Sequence, residues 1–432
     1  MARKETDARP AVTGAVGHPG FAEREYAPAP LTWLVVAQLL SGIGIASGVA
    51  VGGVLAEQVA GTAAAAGSAQ TASIIGAGLL ALPLSTLASR YGRRGGLAAG
   101  FGLGALGAVL VLLATLGSQL WLLLLGMGLF GSATAAGLQS RYAAGELSRP
   151  QRRATAMSVV IWSTTVGSVI GPNLSQPGSD LGERLGIVAP GGPYLISAVV
   201  FVLAALVMLF GLPRVRPADA APVRGQTIGA LTAALREPGS RLGIVAVVTG
   251  HAMMVAVMVM TPVHMNHQGM SLVLVGLVIS IHILGMYAAS PLFGALTDRI
   301  GARWVIGLGA IMFVLAFVLG ATAPESAGHH GTGNPWQLMV ALSLLGLGWS
   351  ACLIGGSSMI AGATTGSQGI RLQGAVDSAM SLIAAIGAAL SGPVLAVWGY
   401  AGVNVLGAVV LLGLVAALIF SRSPRTIAEV RA

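Results

Sequence analysis

Apolar runs of about twenty residues, the length a helix needs to cross the hydrocarbon core of a bilayer, recur along this chain with short Arg-bearing segments between them. That alternation leaves few folds open. A segment inside a bilayer must satisfy its own backbone polar groups, so such runs become helices packed into a bundle. The pattern places spans near 31–55, 70–89, 97–117, 119–140, 154–174 and 193–212, and again near 242–264, 271–296, 303–323, 336–358, 374–396 and 400–421. The expected fold is an all-α membrane protein with twelve transmembrane helices in two pseudo-symmetric six-helix bundles.

The Lys and Arg residues orient those spans. Of the 23, Arg184 alone falls in a loop expected outside when both termini are placed in the cytoplasm. That is the asymmetry that orients multi-pass proteins. Residues 1–30 are polar and Pro-rich with no apolar core near the start, which predicts a disordered cytoplasmic tail. The first span then serves as an uncleaved signal, and 422–432 form a second short cytoplasmic tail.

Composition removes several classes of function. Charged residues make up 9% of the chain, where a soluble protein has about a quarter. The net charge of +9 is topological, with no basic face or aromatic platform, so no nucleic-acid partner is expected. Cys352 is the only cysteine, which excludes an internal disulfide and a cysteine metal cluster. Lys4 is the only lysine, so no nucleotide-binding P-loop exists and transport energy must come from a gradient. Gly102, Gly104 and Gly107 mimic a dinucleotide fingerprint but lie inside an apolar span, where small residues serve helix packing. No nucleophile–base pairing stands out. The chain reads as no enzyme, with no cofactor, and as a monomer in a lipid bilayer.

The segment 213–241 is rich in Pro, Gly and charge and divides the spans six and six, giving bundles at 31–212 and 242–421 joined by a cytoplasmic linker. The halves echo each other. Ser89-Arg90-Tyr91-Gly92-Arg93-Arg94 follows the second span, and Asp298-Arg299-Ile300-Gly301-Ala302-Arg303 follows the eighth. Repeated halves of this kind belong to rocking secondary transporters.

Residues 250–287 concentrate seven of the 15 methionines and four of the seven histidines. Met254 and Met258 are four apart on the seventh span, and His282 and Met286 four apart on the eighth, so each pair shares a helix face. Thioether and imidazole are the soft ligands that select Cu(I). Paired antiparallel, the four would form a ladder through the middle and outer half of the membrane, with His251 and His264 as further candidate ligands. The competing reading is that the methionines fill the core. His264, Met265 and His267 fall at the expected external mouth, and His329 and His330 in an external Gly-rich loop. Gln38, Gln139 and Asn173 are candidates to face a central cavity. Asp377 is expected to pair with Arg371.

These motifs resemble the major facilitator superfamily, whose loop signature G-x-x-x-D-R-x-G-R-R is matched by Gly294 to Arg303, with Asp298 and Arg299 in place. The first half carries Arg90 and Arg93 but has Ser85 for the glycine and Ser89 for the acid. The resemblance implies a gating latch built on Asp298, Arg299, Arg90 and Arg93, and a place in the bacterial inner (plasma) membrane. A narrower resemblance is to the CcoA-like copper importers, which carry Met-x-x-x-Met in the seventh helix and His-x-x-x-Met in the eighth. It implies copper import by alternating access. That branch also includes riboflavin importers, so a riboflavin importer, or an exporter of drug-like organic solutes, is the alternative.

Overall fold

The computed structural model describes residues 29–62, 65–215, 226–323 and 335–421. Most of the two tails, the central part 216–225 of the linker, and His329 and His330 lie outside the described residues.

Fourteen α-helices occur among the described residues. They are α1 (Ala29–Ala60), α2 (Ala66–Tyr91), α3 (Arg93–Leu116), α4 (Leu120–Glu146), α5 (Arg153–Asn173), α6 (Ser175–Arg184) and α7 (Pro193–Gly211). The second set is α8 (Gln226–Arg236), α9 (Pro238–His267), α10 (Leu272–Tyr287), α11 (Ser290–Ile300), α12 (Ala302–Ala321), α13 (Pro335–Ala363) and α14 (Gly366–Phe420). Eleven helical segments there are long and apolar enough to span a membrane, α10 and α11 counting as one. The eleventh, α14, has 55 residues and breaks at Gly399, where φ is +63°. Unbroken it would reach about 80 Å, far more than a bilayer needs. The break folds it into two crossings and brings the total to twelve.

A second break separates α10 from α11. Pro291 has no N–H for the carbonyl of Tyr287, and its ring crowds that carbonyl. The Ser290 hydroxyl donates to Tyr287 O in its place. The kink leaves Tyr287 at the end of α10, facing the middle of the molecule.

Each half has its own core. In the first, Phe130 stands edge-on to Tyr194 and Phe201, with ring centres 5.7 and 5.1 Å away. The second is built on Phe313, Phe317, Trp349 and the buried faces of α9 and α13. The halves meet where α2 packs on α14 and α5 on α11. Both contacts are close because one side is glycine each time. A methyl on Gly374 would overlap the Ser85 hydroxyl, and one on Gly294 would overlap that of Ser158. Ser85 is therefore accommodated by a glycine on the facing helix.

Several boundaries differ from expectation. The helix α4 runs to Glu146, so Arg141, expected in a loop, lies fully buried inside it. The linker contains α8 and the start of α9, and the loop after α5 holds the short helix α6, whose low hydropathy hid it from a search for spans. His264 and Met265 belong to α9 and are buried, whereas His267 is exposed.

Candidate functional site

A cavity of about 120 Å³ lies between the halves. Gln38 and Gly42 of α1, Thr134 and Gly137 of α4, and Thr164 and Ser168 of α5 line one side. Tyr287 of α10 and Trp349 of α13 line the other. One wall thus offers amide and hydroxyl groups and the other aromatic side chains, the mixture common in sites for organic ligands. Gln38 Nε2 donates to Thr164 Oγ1 at 2.9 Å, while Gln38 Oε1 is buried without a partner. Trp349 is held on two sides. Its Nε1 donates to His251 Nδ1 at 2.9 Å, and Tyr287 meets it edge-on with ring centres 5.5 Å away.

Toward the arginine-rich end the cavity is shut. Arg141 of α4 and Asp377 of α14 form an ion pair at 2.6 Å, their side chains 0% and 1% exposed. Arg141 also donates to Ser357 Oγ of α13 at 2.9 Å, and its guanidinium lies over the Tyr142 ring. Arg93 binds the Glu146 carboxylate and, across the halves, Gln373 Oε1. Asp298 accepts from the backbone N–H groups of Ala154 at 3.0 Å and Thr155 at 2.8 Å, and from the Thr155 hydroxyl at 2.7 Å. The carboxylate sits at the N-terminus of α5, where orphan donors and the helix dipole favour a negative group. Ser378 Oγ adds a bond to Gly78 O at 2.7 Å.

Among the residues expected to gate, Asp298 and Arg93 therefore bridge the halves, while Arg90 and Arg299 lie exposed at the helix ends. Asp377 pairs with Arg141 rather than Arg371, which lies near Ser367 Oγ at 3.4 Å. The nearer arginine in sequence loses because the α14 face that carries Asp377 is turned toward α4.

The expected metal ladder meets a different packing. α10 lies against α13 rather than along α9, because glycines let it approach. A methyl on Gly346 would come within 2.5 Å of His282 O, and one on Gly285 within 2.8 Å of Ser343 O. His282 is fully buried and turns Nδ1 to the carbonyl of Leu342 on α13 at 2.8 Å, leaving Nε2 buried without a partner. Met254 and Met286 are buried in the core of the second half, with Met258 partly buried against it. His251 is engaged by Trp349, and His264 stacks on Tyr400 at 4.3 Å. Among the described residues no group of three or more His, Cys, Asp or Glu converges to hold a metal.

Of the expected cavity residues, Gln38 lines it. Gln139 instead bridges α4 to α2 through Ala81 O at 2.8 Å. Asn173 is exposed at the end of α5, its amide donating to Val169 O at 2.6 Å. Sequence reading missed Thr164, Tyr287 and Trp349. The polar run Trp162-Ser163-Thr164-Thr165 inside an apolar span was the available signal, but Trp162 itself is exposed and does not line the cavity.

Comparison with known proteins agrees with this architecture. The Major Facilitator Superfamily sequence model matches residues 33–284 and 242–432. The chain is 36% identical over 403 residues to the uncharacterized MFS-type transporter YdeG of Bacillus subtilis, covering 90% of each chain. It is 28% identical over 333 residues to the riboflavin transporter RfnT of Brucella anthropi, covering 76% of this chain and 80% of that one. The human organic anion transporter MFSD10 superposes with a TM-score of 0.71 at 17% identity, over 90% of this chain and 98% of that one.

Proposed function

This chain belongs to the major facilitator superfamily, and we propose that it is a secondary active transporter of a planar organic solute, working by alternating access. The observation that carries this reading is the cavity between the halves, polar on the Gln38–Thr164 side and aromatic on the Tyr287–Trp349 side. The similarity to RfnT makes riboflavin the first compound to try, and since the cavity of about 120 Å³ is smaller than that solute the halves must part further to admit it. Both termini are taken as cytoplasmic from the arginine asymmetry, so the end shut by Arg141–Asp377 and Asp298 faces the cytoplasm. The conformation is then the one closed toward the cytoplasm, a state that importers and exporters both pass through, and import is tested as the first direction. Rocking of the halves would part these contacts and release the solute inward. The driving ion gradient replaces the nucleotide that the chain has no loop to bind.

Copper import is the second reading. It has one observation of its own, the unpartnered Nε2 of the fully buried His282. A metal would have to draw His282, Met254, Met258 and Met286 together in another state of the cycle.

One experiment separates the two. Uptake of labelled riboflavin and of Cu(I) is measured in cells expressing the wild type, Trp349→Ala and His282→Ala. The organic reading expects saturable riboflavin uptake that falls about tenfold in Trp349→Ala, with no copper flux. Saturable copper uptake abolished by His282→Ala, with no riboflavin flux, would overturn it in favour of copper.

A further inference from the structure

We infer that the cavity recognises its solute by a lactam or imide edge, an N–H beside a C=O on a planar ring, gripped by Gln38 and Thr164. This rests on the organic-solute reading and specifies which chemistry the polar wall accepts.

Gln38 is 8% exposed, and its Oε1, sealed from the cavity by its packing, has no partner, so a solute must draw the amide outward to engage it. Leaving an amide oxygen unpaired costs free energy comparable to a lost hydrogen bond, and buried polar groups in that condition call for an explanation. The neighbouring bond supplies one. With Nε2 spent on Thr164 Oγ1, the amide retains an acceptor, and the Thr164 hydroxyl, which already accepts, retains its proton to donate. If the amide is turned over, Thr164 donates to Oε1 and Nε2 becomes the free donor, with the Thr164 lone pair as acceptor. Either way the pair offers one donor and one acceptor side by side. The complement is a group with one acceptor and one donor on adjacent ring atoms, which is a cyclic amide.

The rest of the wall fits a flat body behind that edge. Gly137 faces the amide with bare backbone, since a methyl there would come within 3.1 Å of Oε1 and 3.2 Å of Nε2. Across the cavity, Trp349 is almost wholly buried and fixed by His251 and Tyr287, so the part of the ring that borders the cavity is held without further loss of rotamer freedom. Contact with the Trp349 ring and pairing with Gln38–Thr164 together define a planar heterocycle with a cyclic amide edge.

The test is binding to the purified full-length protein of ring compounds paired by a single N-methylation: riboflavin against 3-methylriboflavin, and 1-methyluracil against 1,3-dimethyluracil. The wild type should bind the N–H member at least tenfold more tightly. Gln38→Met and Thr164→Val, both close in volume, should each erase that ratio by weakening the N–H member alone. Gly137→Ala should do the same by covering the acceptor. Each variant's Tm is checked against the wild type, and the wild-type ratio stands as a measurement that needs no variant. Equal binding of both members, or a ratio that survives Gln38→Met and Thr164→Val, overturns the inference while leaving the organic-solute reading intact. Failure of every compound to bind overturns both.

Discussion

The residue with the most at stake is Arg141. A guanidinium 0% exposed is tolerable only because Asp377, Ser357 and Tyr142 surround it. Removing one member of such a pair leaves an uncompensated buried charge, which costs about 3–5 kcal/mol, whereas replacing both by apolar groups is far milder. Asp377→Leu and Arg141→Leu should therefore each lower the Tm of the detergent-purified protein sharply, and the double variant should recover most of the loss. Additive losses would show that the two do not act as a pair. Sequence made both residues visible, and Asp377 was recognised as needing a cation. It could not give the partner, because Arg371 is six residues away and Arg141 is 236. Local spacing favoured the wrong one. For the same reason Gln38 was legible as an intramembrane polar group while Thr164, hidden in a polar-looking helix, was not.

At the scale of helices, most features were legible because they follow from length, proline and glycine. Twelve crossings were countable from the apolar runs. What escaped was α6, α8 and the extension of α4 to Glu146, where helices continue past the apolar stretch into polar sequence. The pairing of α10 with α13 was also invisible. The expectation that sequential helices lie side by side put His282 against α9, and it took Gly285 and Gly346 to show that backbone contact with α13 wins. Two predictions belong here. Asp298→Ala removes the cap on α5 and should cost about 0.5–2 kcal/mol, as lost caps do, seen as a lower Tm. Glu237, just before α9, accepts from the backbone N–H groups of Gly239 and Ser240. Slight burial pushes its carboxyl upward, but these bonds and the nearby Arg241 outweigh that and hold it below the usual range. A depressed folded value means the stabilisation is present above the ordinary carboxylate pKa and is lost as pH falls through the folded one. The Tm difference between wild type and Glu237→Gln should accordingly be largest near neutrality and vanish in acid.

For the whole molecule, the closed end is the functional statement. Contacts made by Asp298, Arg93, Arg141 and Ser378 join the halves there. Replacing one of them with a covalent tie should stop the cycle. In a Cys352→Ala background, Thr155→Cys with Asp298→Cys should lose transport on oxidation and regain it on reduction, with riboflavin or whichever solute proves to be carried as the readout. Transport that continues with the bond formed would mean that this end need not open.

The Ser85–Gly374 and Ser158–Gly294 contacts also bear on how such a molecule is assembled. At one seam the first half contributes the bump and the second the hollow, and at the other seam the roles are the same, since Ser158 too belongs to the first half. A pair of first halves would bring hydroxyl against hydroxyl at both seams, and a pair of second halves would leave two gaps. The two bundles are thus complementary rather than interchangeable, and a cell that made them as separate pieces would be expected to recover only the mixed pair.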